Sequence, residues 1–516
     1  MEELRMRQST LVPPQNRKTF SMGKLRLSEM ACLAALVCLP LRALYAQTFT
    51  VLASFDGVNG ELPQSSLVQG VNGSFYGTTP MGGSSTDGTV FEVTPAGQLK
   101  TLYSFCTLPN CADGWQPEQG LVLGLNGNLY GTTAAGGKIL GSCLGPGCGT
   151  IFEITPAGKL TVLHSFCSLP HCVDGAVPVA GLVLGSDGNF YGAASKGGQF
   201  LRGTVFKITP EGKFTLLYSF CSQKNCPDGS YPITNLIQAP NGNFYGSTYD
   251  GGTVVCPFFQ NTFGCGTIFE ITPAGQLTTL YNFGTVAGLL QAPLAQAANG
   301  NFYGTSLNGG TGKCGYGCGT VFEITPAGEL TTPYSFCTEG TISCPDGAYP
   351  MAGLVLATDG NFYGTTSTGG EGAGETGTVF AITPDGALHT VHNFGGISTG
   401  QMPQGTLLQA TDGRFYGVTH GGGASNIGIV FQLSVGLARF VQSVPTAGTV
   451  GAKVLILGNG LTGTTSVTFN GTPATFTVSR NTAIRTTVPV GATTGTLEVT
   501  TPSGTLKSNV VFQVNP

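Results

Sequence analysis

Seven copies of a Tyr-Gly pair, at Tyr76, Tyr130, Tyr191, Tyr245, Tyr303, Tyr363 and Tyr416, constrain this chain more than any other feature. Their spacings of 54, 61, 54, 58, 60 and 53 residues define a repeat. A unit of this length cannot bury its apolar faces alone and must pack against its neighbours. In the third copy four short strands are expected, over Gly181–Gly185, Asn189–Ala194, Gly203–Thr209 and Lys213–Phe220. Asn-Gly or Asp-Gly joins the first two strands in every copy, the dipeptides that tolerate the positive φ of a tight hairpin. Thr-Pro-x-Gly, as at Thr155–Gly158, joins the last two, with Pro presetting φ and Gly supplying the left-handed residue. The unit is therefore an antiparallel meander.

The strands are apolar on both faces. In Thr320–Ile324, Val321 points one way while Phe322 and Ile324 point the other, so a sheet must lie on each side. A ring of such sheets, a β-propeller, satisfies that requirement. The last copy ends at Gly428-Ile-Val-Phe431 without an outer strand, while Thr48–Phe55 is an outer strand without a copy. The expected fold is all-β: a seven-bladed propeller over residues 47–436, closed by the N-terminal strand. From about Phe440 the repeat gives way to strands at Lys453–Gly458, Ser466–Gly471 and Gly495–Thr500, which predict a small β-sandwich over 437–516.

Charged residues are only 9% and the net charge is −4, with no basic patch, which excludes a nucleic-acid partner. Lys24 and Arg26 precede the apolar run Met30–Leu41 and then Ala46, the order of a secretory signal peptide over residues 1–46, translated from Met1 or Met22. Cleavage after Ala46 is favoured over lipid modification of Cys38, because Val37 is larger than such a site prefers. The run is shorter than the ~20 residues of a membrane span, so an exported chain with no membrane span after cleavage is expected.

The unit Asn-Phe-Tyr-Gly…Gly-Gly…Gly-Thr-Val-Phe-Glu-Ile-Thr-Pro-Ala-Gly, legible over residues 49–433, resembles the GloVer tandem repeat of the Gloeobacter/Verrucomicrobium type. That resemblance implies an exported bacterial surface or secreted protein and no known activity. The tail resembles the IPT/TIG immunoglobulin-like family in Pro445…Gly451, Gly458-Asn-Gly460, Val467–Gly471, Pro473-Ala474 and Val488-Pro489.

Fourteen cysteines follow the signal segment and fall into local pairs: Cys106/Cys111, Cys143/Cys148, Cys167/Cys172, Cys221/Cys226, Cys256/Cys265, Cys314/Cys318 and Cys337/Cys344. An even, paired set in an exported chain predicts disulfides. Zinc is disfavoured, since there is no Cys-x-x-Cys and His is scarce. The pairs lie either between strands two and three or between strand four and the next copy. In a meander those two connections share one face, and the tight turns occupy the other.

Asp56, Asp113, Asp174, Asp228 and Asp346 each precede Gly in the inter-copy connection. A ring of carboxylates would suit Ca2+, but two copies lack the Asp, which a turn role tolerates better; no cofactor is expected. Glu92, Glu153, Glu270 and Glu323 share one strand position that elsewhere holds Lys207, Ala381 and Gln432, the signature of a solvated site rather than a catalytic one. His389 and His392, three apart on one strand, face opposite ways and cannot share a metal. No catalytic motif is present. The expected role is binding, of a glycan or a cell-surface protein, through long loops carrying Tyr249, Phe258, Phe259, Phe263 and Tyr316. A secreted carbohydrate-active enzyme is the alternative; it needs a carboxylate pair near the channel, where inner strands such as Leu121–Leu123 bring no titratable group.

Overall fold

Each repeat forms one four-stranded antiparallel sheet in a computed structural model that describes residues 47–138, 147–254, 264–284, 287, 288, 290, 292–338, 344–371 and 376–515. The third sheet comprises Val183–Leu184, Phe190–Ala194, Thr204–Ile208 and Phe214–Ser219. Its first strand is shorter than the sequence predicts. The Gly181 N–H donates to Asn235 of the next sheet, and the Gly185 N–H closes the turn onto Asn189, so neither is left for the ladder. Seven sheets of this kind span the repeat region among the described residues. The last takes its fourth strand from the N-terminus: Thr48–Ser54 pairs antiparallel with Ile429–Ser434. That pairing carries a register shift at Val51/Ala53, at the place where the third sheet shifts between Val205 and Phe206. The borrowed strand thus has the geometry of a native outer strand, bent and twisted by its bulge.

The Phe-Tyr dipeptide explains why neighbouring sheets adhere. Successive strand residues face opposite ways, so Phe meets the preceding sheet and Tyr the following one. Tyr130 stacks on Phe190 at 4.1 Å, Tyr191 on Phe244 at 4.0 Å, Tyr245 on Phe302, Tyr303 on Phe362 and Tyr363 on Phe415, each at 4.3 Å. Tyr76 meets Leu129, which replaces Phe in the second copy. Tyr416 of the last sheet returns to Phe75 of the first at 3.9 Å, with Phe55, Phe91 and Val430 in the same cluster. Each aromatic pair adds about 0.5–1.5 kcal/mol beyond the area that it buries. A second contact repeats alongside. The glycine that opens the third strand receives the proline ring of the next connection: a Cβ on Gly203 would lie 2.4 Å from Pro232, and one on Gly428 2.4 Å from Pro63. The whole forms a propeller-like array of sheets.

Burying the Tyr hydroxyl raises a second requirement, since an unpaired buried hydroxyl is costly. A carboxylate meets it in six of the seven repeats; in the fifth, Tyr303 donates to the Pro384 carbonyl at 3.4 Å with Glu323 beside it. Tyr130 donates to Glu153 at 2.8 Å and Tyr245 to Glu270 at 2.7 Å, with turn residues Asn126 and Asn241 donating to the same carboxylates. Glu92, Glu153 and Glu270, which the sequence reads as solvated, are therefore half-buried Tyr partners. In the other three repeats the turn residue is Asp187, Asp359 or Asp412, and this carboxylate accepts the hydroxyl of Tyr191, Tyr363 or Tyr416. The strand position is then Lys207, Ala381 or Gln432. Each repeat carries one carboxylate at these two positions, on the strand or in the turn, and no repeat carries both. Burial and then the neighbouring carboxylate push these hydroxyls upward, that of Tyr245 to about 12.

The tail packs two four-stranded sheets around Ile456, Val467, Phe469, Ile484, Leu497 and Val499, with Phe512 edge-on to Phe469. It docks on the tight-turn face of the array. Leu455, Leu457 and Ala483 join the cluster of Tyr76 and Leu123. The Arg485 guanidinium donates to the Leu125 carbonyl at 2.7 Å, Thr482 to that of Val71, and Asn459 to the Thr411 hydroxyl.

Candidate functional site

The opposite face is assembled by two connections per sheet, zipped together by backbone bonds. Trp115 bridges Ala135, Ala176 bridges Lys196, Ser230 bridges Asp250 and Ala348 bridges Thr368, each pair joining the connection before the first strand to the one after the second. The Gly137 N–H donates to the Cys111 carbonyl at 2.8 Å and the Gly198 N–H to that of Cys172 at 2.8 Å. Contact this close leaves no room for a side chain. A Cβ on Gly136 would lie 2.6 Å from the Gly114 Cα, and Gly136 has φ +80°. This is why each unit carries Gly-Gly after its second strand.

Disulfides fix these connections: Cys106–Cys111, Cys167–Cys172, Cys221–Cys226, Cys314–Cys318 and Cys337–Cys344. Cys148 and Cys265 are also disulfide-bonded; their expected partners, Cys143 and Cys256, lie outside the described residues. In the first two loops Pro109–Cys111 and Pro170–Cys172 form single 3-10 turns. The sulfurs of Cys314, Cys318, Cys337 and Cys344 lie within 4.8 Å of one another, so the two clasps of one sheet touch. Oxidised, they offer no thiolate to a metal.

The aspartates of these connections are structural. Asp113 is fully buried and accepts from the Tyr103 hydroxyl at 2.8 Å, the Thr107 N–H and hydroxyl, and the Leu108 N–H. Asp174 repeats the arrangement with Ser168 and Leu169, and His164 takes the place of Tyr at 3.2 Å. Burial works to raise the Asp174 carboxyl, but the His164 and Ser168 donors outweigh it and hold the group below its ordinary range. Asp228 and Asp346 accept from Tyr218 and Tyr334 in the same way. Carboxylates engaged by their own loop in this way make turns, while the Asp228 Oδ1 is buried without a hydrogen-bond partner among the described residues.

Two features of this face go beyond the loop aromatics that the sequence singles out. The first is its apolar exposure. Val58, Met81, Leu108, Leu169, Phe200, Leu201, Val254, Tyr316 and Ile397 are the exposed large hydrophobics of the repeat region among the described residues, and every one lies in these connections. Leu108 and Leu169 precede the proline of the disulfide loops, and an apolar residue within a six-residue cysteine loop was the available signal. Of the residues proposed for contact, Tyr316 is 62% exposed, Tyr249 is half-buried with its N–H on the Tyr231 carbonyl, and Phe258, Phe259 and Phe263 lie outside the described residues.

The second feature is a cavity of about 240 Å³ lined by Gln64, Glu118, Gln119, Val179, Ile233, Met351 and Gln404. Gln64, Glu118, Val179, Ile233, Met351 and Gln404 each follow the buried proline of their connection. Glu118 supplies the titratable group that the inner strands lack, delivered by the connection instead. Burial alone raises its carboxyl above the ordinary range. Burial, and then the charge of Asp113, likewise raises Asp87, but Asp113 is enclosed by its own loop and cannot touch a substrate.

The sequence model of the Gloeobacter/Verrucomicrobia repeat matches residues 43–256 and 258–478. Comparison with curated proteins gives no match. Among solved structures the chain is similar to a Bacteroides thetaiotaomicron protein of unknown function, at 13% identity over 75% of this chain and 76% of that one, with a TM-score of 0.40. It is also similar to proteins described as candidate 6-phosphogluconolactonases. That of Bacteroides uniformis is 15% identical over 63% of this chain and 83% of that one, with a TM-score of 0.40. That of Bacteroides fragilis is 16% identical over 72% and 88%, with a TM-score of 0.35. Likeness at this level carries no inference about chemistry.

Proposed function

The chain belongs to the Gloeobacter/Verrucomicrobia repeat family, and on that premise we propose an exported, non-enzymatic protein that binds a glycan or protein partner through its loop face. The scaffold is a seven-bladed propeller over residues 47–436, followed by an IPT/TIG-type immunoglobulin-like domain over 437–516. The ring is supported by the Tyr-on-Phe contacts that return from Tyr416 to Phe75, and by a cavity whose walls come from six different connections. Export is supported by the disulfides and by the basic-then-apolar order before Ala46. No described helix is long and apolar enough to cross a membrane.

The observation that carries the binding reading is the confinement of exposed large hydrophobics in the repeat region to the loop face. Scattered singly they would be ordinary; gathered on one rigid, disulfide-held face they make a contact surface. The test compares wild type with a Leu108→Ser, Leu169→Ser, Tyr316→Ser variant on a glycan array and on intact cells of the producing bacterium. Binding should fall at least about tenfold, the loss of 1.4 kcal/mol or more, with melting unchanged. Equal binding by both proteins would overturn the proposal.

Glu118 favours the enzymatic alternative, since burial poises it as a general acid. It is, however, the one carboxylate among the described residues lining the cavity, and glycoside chemistry uses two. Release of reducing ends from polysaccharide by wild type, lost in Glu118→Gln, would establish that reading instead.

A further inference from the structure

We propose that the axial cavity is a binding site for a primary alkylammonium group, of the kind carried by a lysine side chain. The proposal rests on the loop face being the binding face, and it names the chemistry at its centre.

The cavity is divided by the order of the sheets. Gln404, Gln64, Glu118 and Gln119 come from the seventh, first and second sheets, which are consecutive through the Tyr416–Phe75 contact and the cluster joining Tyr76 to Leu129. They make one polar wall. Among the described residues, Val179 and Ile233, from the connections into the consecutive third and fourth sheets, and Met351, from that into the sixth, make an aliphatic side. A ligand suited to both walls has a short alkyl stem and a polar head.

The polar wall also selects the charge of that head. Amide oxygens accept from N–H donors, and a carboxylate accepts most strongly from a cation. Glu118 is the one charged side chain among the described lining residues, and burial is the sole cause of its shift. No hydrogen bond or ion pair among the described residues engages its carboxylate, so neutralisation must come from a proton or from a ligand. A cation entering the cavity supplies what the protein omits. An anion is repelled, and a neutral sugar finds no aromatic platform among the described residues of the wall.

Methyl NMR provides the test, because Met81, Met351 and Met402 are the methionines from Gln47 onward. Met351 lines the cavity, while Met81 is exposed outside its lining and serves as reference. The secreted chain, labelled at the methionine methyls and assigned with Met351→Leu, is titrated with n-butylammonium chloride, and with 1-butanol at matched ionic strength. A saturable shift of Met351 with the ammonium alone is expected, weakened at least about tenfold in Glu118→Gln, as when a hydrogen bond to a charged group is removed. An equal response to 1-butanol, an unchanged response in Glu118→Gln, or no response would each overturn the proposal. Loss of partner binding in the Leu108, Leu169 and Tyr316 variant would stand independently of any of these outcomes.

Discussion

Asn126→Asp in the second repeat places two carboxylates on one tyrosine. The Asn126 amide nitrogen lies 2.9 Å from the Glu153 carboxylate and 2.9 Å from the Tyr130 hydroxyl. Replacing that donor by an anionic oxygen at the same 2.9 Å costs about 1.4 kcal/mol of repulsion at the dielectric of water, the appropriate limit because Asn126 is exposed. The lost hydrogen bond adds about 1 kcal/mol, so a destabilisation of about 2 kcal/mol is expected. Adding Glu153→Gln removes the repulsion and recreates the Asp412, Tyr416, Gln432 set of the seventh repeat, where the hydroxyl donates to Asp412 at 2.8 Å. The double variant should regain most of the loss. Urea midpoints for both single variants and the double variant form the cycle, which isolates the coupling between the two positions. Additive effects, with no recovery in the double variant, would refute the one-carboxylate rule.

Three further outcomes follow from the same contacts. Gly136→Ala, at φ +80° and 2.6 Å from the Gly114 backbone, should cost about 2 kcal/mol or more in thermal unfolding. His392, stacked on Phe49 at 3.9 Å and held by burial at about 4, is neutral when folded. The unfolded chain takes up its proton near pH 6.5, so stability should fall as pH drops from about 6.5 to 4. His392→Phe should remove that dependence from the urea midpoint. Reduction of the disulfides should speed deuterium uptake in the connections around Cys106–Cys111 and Cys167–Cys172 while the strands Phe75–Thr79 and Phe190–Ala194 remain protected.

Much of the scaffold was legible because its determinants are local. Asn-Gly and Thr-Pro-x-Gly turns, alternating apolar strands and the unmatched strand at Thr48–Phe55 state their geometry within a few residues. The carboxylate exchange was not legible from single positions. Glu153 looks solvated until the turn brings Asn126 and Tyr130 to it, and only the joint pattern of turn and strand residue reveals the rule. Glu118 was missed for a related reason. The inner strands carry the expected channel positions, whereas the cavity is lined by residues that follow the connection prolines. The docking of the tail depends on contacts such as Arg485 with Leu125, 360 residues apart, which no periodicity encodes.

The placement of function on the loop face is tested most directly by deuterium exchange of residues 47–516, alone and with the ligand that they retain best on the array. Protection confined to peptides carrying Leu108, Leu169, Phe200 and Tyr316 is predicted, with the Thr-Pro-x-Gly turns at Thr155–Gly158 and Thr383–Gly386 unchanged. Protection centred on those turns, or on the tail, would contradict it.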